Sequence, residues 1–497
     1  MSEVLIQRSG NMVAVTRDGY APVDRAGLRM LQDALSYQHM RHLRGHEKYS
    51  IDGGVRHVEL ETRTLYEMQE AKFVTSVGCL RKVAHLLQQA GYTVRYFDMN
   101  PQKPAAIYTP RWDNLFQYMQ LRPGQEACLQ AIINNSCGVV DATMGFGKTA
   151  IFAMLCLLYP EARFDIMVRS RDIAAMIRTR LTKYIPNVGL VGNSKREYGD
   201  RVTVCTAGSA HHMTDRPQTD FFLADEVHQL VTPSVSRWII RNWPQARCFG
   251  FTGTYEKRGD QADAQLELLF GPLLYQMPYQ DAERLGLVVP INVRWLPIRM
   301  SNSPAAGCDD VGRKRWGIWR NDVRNAAIAA DVRQNYPDNT QQILILVETL
   351  EHAVMLWQHL PEFSLCYADI SKDRINEYRQ SGLLPEGFVP TTPDVRRQMQ
   401  LAFEDGSLKR VIATDVWATG VDFQALSVLY RGDGRSSKII DLQGPGRVSR
   451  VSEGKEGGEV VDCIDIFDAS LLRKSKSRKR SYGEMGWTQN WPRHLED

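Results

Sequence analysis

Apolar and polar positions follow three successive patterns along this chain. Near the N-terminus Val55, Val58 and Leu60 alternate as in a half-buried strand, and Phe73-Val74 opens another short apolar segment. Leu80, Val83, Ala84 and Leu87 then recur at helical spacing, closed by Gly91, a residue suited to a helix C-terminus. Alternation resumes at Val94 and Tyr96. These features predict a small α+β unit over residues 1–110, ending in a proline-containing linker from Pro101 to Pro110.

From Arg111 short apolar runs are separated by helical patterns. Val139-Val140 precedes a helix from Lys148, and Phe164 to Val168 precedes another from Asp172. Val202 to Val204, Phe221 to Leu223 and Cys248 to Phe251 continue the series. A second cycle starts near Ile291, with its best strands at Ile343 to Val347, Val411 to Ala413 and Val460-Val461. Continuous apolar strands interleaved with helices predict an α/β fold, parallel sheets covered on both faces. The expected division is 111–290 and 291–470, joined near Pro290, followed by a basic tail over 471–497 that contains Arg473 to Arg480. The stretch from Ser371 to Thr392 reads as an insertion, either a flap that contacts a ligand or an inert surface loop.

Composition narrows the class. At roughly 150 residues per domain, 497 residues predict about three domains. With 43% hydrophobic and 24% charged residues, each can bury a core. The net charge of +4 makes any nucleic-acid site local rather than a product of the overall field. The apolar run from Ile151 to Tyr159 falls short of the ~20 residues of a membrane span, and the N-terminus has no apolar signal core. Nine cysteines contain no CxxC pair, and His211, His212 and His228 lack metal-ligand spacing. A reduced, cytoplasmic protein without a membrane partner is expected.

The chemistry is concentrated after Val140, in Asp141-Ala142-Thr143-Met144-Gly145-Phe146-Gly147-Lys148-Thr149. A strand, a glycine-rich turn and a Gly-Lys-Thr opening a helix can aim backbone N–H groups at phosphate oxygens. Lys148 would bring a point charge to the terminal phosphates and Thr149 a hydroxyl to Mg²⁺. A turn that needs glycine only for its geometry is the alternative. The second motif, Phe221-Phe222-Leu223-Ala224-Asp225-Glu226-Val227-His228, ends an apolar strand in two carboxylates. Open α/β sheets bind ligands at the C-terminal ends of their strands. Asp225 is then placed for Mg²⁺ and Glu226 to polarise an attacking water. A solvated acidic pair at a helix start is the alternative there.

Together these residues resemble the superfamily 2 helicases and translocases, and further motifs follow in the family's order. Arg122-Pro123-Gly124-Gln125 is similar to the adenine-reading element, with Gln125 on the base edge. Thr206-Ala207-Gly208-Ser209 resembles a nucleic-acid backbone contact, and Phe251-Thr252-Gly253-Thr254 stands where hydroxyls link ATP state to domain closure. Val347-Glu348-Thr349 resembles a backbone contact of the second motor domain. Thr414 to Asp422, with Gly420, matches Thr-x5-Gly-x-Asp, and Gln443 to Arg450 matches Gln-x-x-Gly-Arg-x-x-Arg. The resemblance implies two tandem RecA-like motor domains after the small N-terminal domain, with ATP and Mg²⁺ as cofactors. It makes Arg450 the main arginine finger, Arg447 its helper and Gln443 the residue orienting water or the γ-phosphate. Developing charge on a transferring phosphoryl group calls for such a guanidinium.

Within the superfamily the chain is more similar to the XPB and phage UvsW-type DNA repair helicases than to DEAD-box RNA helicases. Asp225-Glu226-Val227-His228 replaces Asp-Glu-Ala-Asp, and Lys257-Arg258-Gly259-Asp260 lies near the XPB Arg-Glu-Asp triplet but lacks its middle carboxylate. Arg320 to Asn325 is another UvsW-like feature. The resemblance implies salt-sensitive, sequence-neutral gripping of one strand. Candidate contacts are Arg169, Ser170 and Arg171, then Thr206, Gly208 and Ser209, and on the second domain Glu348, Thr349 and Thr414. Capping or turn chemistry is the alternative for the hydroxyls. His228, Thr252 and Thr254 would couple the ATP and nucleic-acid sites. The expected activity is ATP-dependent tracking on DNA, 3′ to 5′, with remodelling or unwinding of forks and branches. The alternatives are an RNA-acting helicase and an ATPase switch within a larger repair or defence complex.

Overall fold

The structure, a computed structural model, describes residues 2–42, 58–70, 72–100, 105–192, 195–213, 218–230, 233–253, 255, 263–368, 370–384, 391–417 and 423–495. The chain divides into two compact units, Met1–Thr143 with Gly147–Pro278, and Met144–Phe146 with Tyr279–Asp497.

The first unit is built on an eight-stranded sheet. Its spatial order is Lys195–Glu197, Gly189–Gly192, Val202–Thr206, Phe164–Val168, Phe221–Ala224, Arg247–Thr252, Cys137–Ala142, Leu273–Met277. Every pairing is parallel except that of the Lys195–Glu197 edge strand. The Cys137–Ala142 strand sits inside the sheet and feeds the helix Lys148–Leu158, whose residues Ile151 to Leu158 are all buried. That explains why the helix is apolar all round rather than striped.

A five-stranded sheet in the order Tyr66–Gln69, Lys72–Ser76, Met12–Thr16, Glu3–Ser9, Thr93–Asp98 belongs to the same unit. The helices Arg25–Ala34 and Leu80–Gln89 contribute Leu31, Val83 and Leu87 to its core. The N-terminal hairpin, Glu3–Ser9 against Met12–Thr16, carries this sheet and was not anticipated. The predicted linker contains a short helix, Ala105–Tyr108. The N-terminal sheet is docked by specific contacts. Asn11 Nδ2 donates to the Trp243 carbonyl at 2.6 Å, and Lys82 reaches Glu267 at 3.3 Å. A Cβ on Gly78 would stand 2.1 Å from the Glu267 carbonyl oxygen, so only glycine permits this approach.

The second unit holds seven parallel strands in the order Ser364–Cys366, Arg410–Ala413, Gln342–Leu346, Leu426–Arg431, Gly458–Asp465, Ile291–Ile298, Thr488–Gln489. Its core gathers Ile343, Ile345, Val347, Ile412, Tyr430 and Val461. The predicted insertion is partly built in: the helix Lys372–Gln380, capped by Ser371, brings Ile375 and Tyr378 together with Leu383, Leu384 and Val354.

The 471–497 segment is not a tail. It contributes the helix Ala469–Glu484 and the edge strand Thr488–Gln489. Leu471, Ser475, Arg478 and Tyr482 recur at helical spacing and are buried, so one face of the basic run is core. Arg478 is fully buried, and its Nε donates to Asp462 at 2.8 Å. Beside it Arg431, equally buried, meets Asp433 and Asp441, each at 3.1 Å. A reading of composition counts these arginines as surface charge, because nothing local in the sequence announces their distant partners.

Candidate nucleotide and nucleic-acid sites

The phosphate loop lies between the Cys137–Ala142 strand and the Lys148–Leu158 helix. Gly145 and Gly147 take φ of +91° and +95°, values that L side chains rarely adopt, so both glycines of the motif are required by the backbone. Gln125 is fully buried; its Oε1 accepts from the Arg122 N–H at 2.9 Å. A Cβ on Gly147 would lie 3.0 Å from Gln125 Nε2, which puts that amide against the loop. Arg122 and Gln125 thus form one turn beside the loop. Asp141 anchors the strand end by accepting from the Tyr255 N–H at 3.3 Å and Gln276 Nε2 at 3.1 Å. Thr143 is tied through its N–H to the Met277 carbonyl at 3.2 Å, and Thr149 occupies the first helical turn.

Strand order brings the carboxylates to this loop. Lys148 Nζ donates to the Ala142 carbonyl at 3.1 Å and stands 3.6 Å from Glu226 Oε1. Asp225 and Glu226 follow the Phe221–Ala224 strand, and Asp225 Oδ1 accepts the Glu226 N–H at 3.0 Å. Glu226 has φ of +48°, a left-handed conformation that a non-glycine residue adopts only under constraint. Burial and the neighbouring Glu226 carboxylate push the Asp225 carboxyl up to about 7, opposed by Lys148. Two adjacent carboxylates with a desolvated member are the donor set a hard divalent cation satisfies, since the cation removes the cost of that charge.

His228 continues the line. It is 1% exposed, with Nδ1 2.9 Å from Thr252 Oγ1 and 3.5 Å from Glu226 Oε2. Lys148, Glu226, His228 and Thr252 therefore form a contiguous polar chain across the strand ends. Val55, Thr254, the run from Lys257 to Asp260, Gly420 and Asp422 lie outside the described residues.

Gly253 belongs to the same place and was missed as a site residue. A Cβ there would stand 3.2 Å from both Lys148 Nζ and the Ala142 carbonyl oxygen. Its signal in the sequence was glycine between Thr252 and Thr254, where the family usually carries alanine.

The candidate nucleic-acid contacts in this unit carry local structural duties. Ser170 caps the helix Arg171–Leu181 by accepting from the Ile173 N–H at 3.3 Å, and Arg171 opens that helix. Arg169 Nη1 donates to Gln229 Oε1 at 2.6 Å. Thr206 Oγ1 donates to Ser209 Oγ at 3.0 Å, and the Gly208 Cα faces open space.

In the second unit Thr349 caps the helix Leu350–Trp357 by accepting from the His352 N–H at 3.1 Å. Glu348 takes Lys314 Nζ at 2.6 Å and Trp319 Nε1 at 3.3 Å. Thr414 is buried, its N–H bonded to the Cys366 carbonyl at 2.9 Å. Gln443 ends the helix Lys438–Gln443. The two motif arginines do not share a helical face. Arg447 is 4% exposed within the 3₁₀ turn Pro445–Ser449 and donates to the Trp417 carbonyl. Arg450 follows the turn with extended backbone and is half-buried. This 3₁₀ turn is tighter than an α-helix, on which residues i and i+3 would share a face.

Among the described residues no group of three or more His, Cys, Asp or Glu could hold a metal, and no helix is long and apolar enough to cross a membrane. Seven of the nine cysteines are buried.

A strand–loop–helix phosphate cradle flanked by an acidic strand end defines a nucleotide-binding α/β ATPase of the RecA-like type. Comparison with known proteins agrees. Residues 118–257 match the family described as type III restriction enzyme, res subunit. A protein named as a type I restriction enzyme endonuclease subunit of Methanocaldococcus jannaschii is 25% identical over 304 residues, covering 54% of this chain; the chain spans only 27% of that relative's length. The DNA 3′-5′ translocase XPB2 of Sulfurisphaera tokodaii is 22% identical over 395 residues, 73% of this chain and 84% of that protein. In fold, the chain is similar to Saccharomyces cerevisiae Dbp5 bound to RNA and ADP BeF3, with TM-score 0.50 and 16% identity over 78% of this chain and 92% of that one. Over residues 118–257 the chain thus matches a helicase family, and its relatives include a protein named as an XPB-type DNA translocase.

Proposed function

We propose that the chain couples ATP hydrolysis to 3′-to-5′ tracking on DNA and remodels or unwinds forked and branched substrates. The observation that carries the reading is Glu226, held 3.6 Å from Lys148 and 3.5 Å from His228 at a strand end. The similarity to a protein named a DNA 3′-5′ translocase supports the choice of DNA and of polarity.

In this reading residues 111–290 bind and hydrolyse the nucleotide, residues 291–470 supply Gln443, Arg447 and Arg450, and residues 1–110 position the junction. Gly145, Gly147 and the N-terminus of the Lys148 helix offer backbone N–H groups to the phosphates. Lys148 exchanges its Ala142 carbonyl partner for a phosphate oxygen. Glu226, fixed by its strained backbone, orients and deprotonates the attacking water, and Lys148 limits the cost of its charge. Asp225 and Thr149 would hold Mg²⁺, which would supply positive charge to the phosphates when the nucleotide is bound. Arg450 stabilises charge on the leaving phosphoryl group, while Arg447 braces the turn that presents it. His228 passes the state of Glu226 to Thr252. Thr206, which ends a strand, with Gly208, Ser209, Glu348, Thr349 and Thr414, which follow strands, would contact a sugar–phosphate backbone.

A second reading, the ATPase of a larger DNA-acting complex, is favoured by the relative of which this chain spans 27%. A panel of forked, Holliday, duplex, single-stranded and RNA substrates, scored for ATP turnover and strand separation, separates them. Strand separation of forks by the isolated chain is expected. DNA-stimulated turnover without any remodelling supports the complex-bound switch, and stimulation by RNA alone overturns both readings.

A further inference from the structure

The second unit carries an aromatic and basic surface that the motor motifs do not absorb. A helix begins at Asp310 and passes into a π-helical turn, Arg315–Trp319. Such turns contain one residue more than the α-helical ladder accommodates and often occur at functional sites. Here the inner face is fixed. Gly317 and Ile318 are buried, and a Cβ on Gly317 would meet Leu471 Cδ1 at 2.9 Å. Trp316 is turned outward and is 44% exposed.

The guanidinium of Arg320 lies over Trp316, 5.5 Å from the ring centroid. Arg315 Nη2 is 3.1 Å from Glu351 Oε2, and Arg320 pairs with the other oxygen of the same carboxylate. The Glu351 side chain is only 3% exposed, whereas those of Arg315 and Arg320 are 42% and 32% exposed. One buried carboxylate therefore holds two guanidiniums in place without neutralising both. Lys314 extends the positive edge, held by Glu348 at 2.6 Å, and Lys474 is close enough that burial and the Lys314 charge lower its pKa. A large exposed indole beside pre-positioned, under-neutralised guanidiniums is the chemistry that recognises unpaired bases on a phosphate backbone.

We propose that Trp316, with Arg320 and Arg315, forms a platform on which a base of single-stranded DNA stacks while the guanidiniums hold the flanking phosphates. The inference deepens the DNA-tracking reading and rests on it: this platform is a grip on bases, distinct from the strand-end hydroxyls that would touch sugar and phosphate.

The test titrates the full chain and its Trp316→Ala, Trp316→Phe and Arg320→Ala variants with an oligothymidylate carrying one 2-aminopurine, reading anisotropy and 2-aminopurine quenching. Wild-type protein is expected to quench the probe. Trp316→Ala should bind about tenfold more weakly and lose the quench, and Trp316→Phe should restore most of the affinity. Arg320→Ala should lower affinity and flatten its salt dependence by about one counterion. Melting temperatures within a few degrees of wild type show that the half-exposed ring was not structural. Trp316→Ala binding and quenching like wild type overturns the platform. Wild-type protein that fails to bind the oligonucleotide overturns the DNA-tracking reading itself.

Discussion

His228 Nδ1 lies 2.9 Å from the Thr252 hydroxyl, and the same nitrogen is 3.5 Å from Glu226 Oε2. The carboxylate proposed to activate water is thus one side chain away from Thr252, at the end of the Arg247–Thr252 strand. Whatever shifts Glu226 on binding nucleotide alters the partner of His228, and a buried imidazole leaves little slack for that change to dissipate. His228→Ala should therefore leave DNA-independent ATP turnover within a few fold of wild type and cut its stimulation by DNA roughly tenfold, the scale of one buried polar contact. Equal loss of both rates would make His228 a structural support for Glu226.

Lys148→Ala should lower turnover by about a hundredfold or more, because a charge on the transferring phosphates is lost from a site with low solvent access. Its affinity for single-stranded DNA should stay within about threefold of wild type, since the proposed role of Lys148 is to hold nucleotide phosphates and not DNA. Fluorescence anisotropy and a coupled ATPase assay read the two properties separately.

Asp225 makes stability depend on pH with a definite sign. Its folded carboxyl is raised to about 7 from 3.8, chiefly by burial and then by Glu226. Between those values the folded state keeps a proton that the unfolded state has lost, so stability falls as pH rises through the window and levels off above about 7. Asp225→Asn removes the titration. Without metal, its melting temperature relative to wild type should climb by several degrees from about pH 4 to about pH 8, while its ATPase is lost. A flat difference would mean that Asp225 ionises freely. For the same reason Mg²⁺ should stabilise wild type more at about pH 8 than at about pH 6, where the carboxyl still holds its proton.

Arg478→Ala leaves Asp462 buried without its charged partner and should cost about 3–5 kcal/mol of stability, read as an earlier urea midpoint. Arg480→Ala, an exposed residue two positions away on the same basic helix, should change stability by less than about 0.5 kcal/mol. Equal effects would contradict the assignment of one face of this helix to the core.

Local pattern reveals the motor sheets because parallel strands buried on both faces are written as continuous apolar runs. The segments around Phe164, Phe221, Ile343 and Val411 each coincide with a strand. The strand–turn–helix at Gly145, Gly147 and Lys148 was equally legible, since its backbone requirements are confined to one turn. What stayed hidden depends on partners far along the chain. Arg478 looks like surface charge until Asp462 is seen beside it. Ser170 and Thr349 looked like ligand-facing hydroxyls, and each caps the helix that follows it, a role that the sequence leaves open. Trp316 shows nothing in one dimension, because its exposure comes from a π-helical turn anchored against Leu471.

The most direct test of the whole account is steady-state ATP turnover of wild type and Glu226→Gln, each with and without single-stranded DNA. The account predicts turnover that rises at least severalfold with DNA in wild type, and a variant that still binds ATP and DNA but turns over about a hundredfold more slowly under both conditions. Glu226→Gln hydrolysing ATP at the wild-type rate would contradict it.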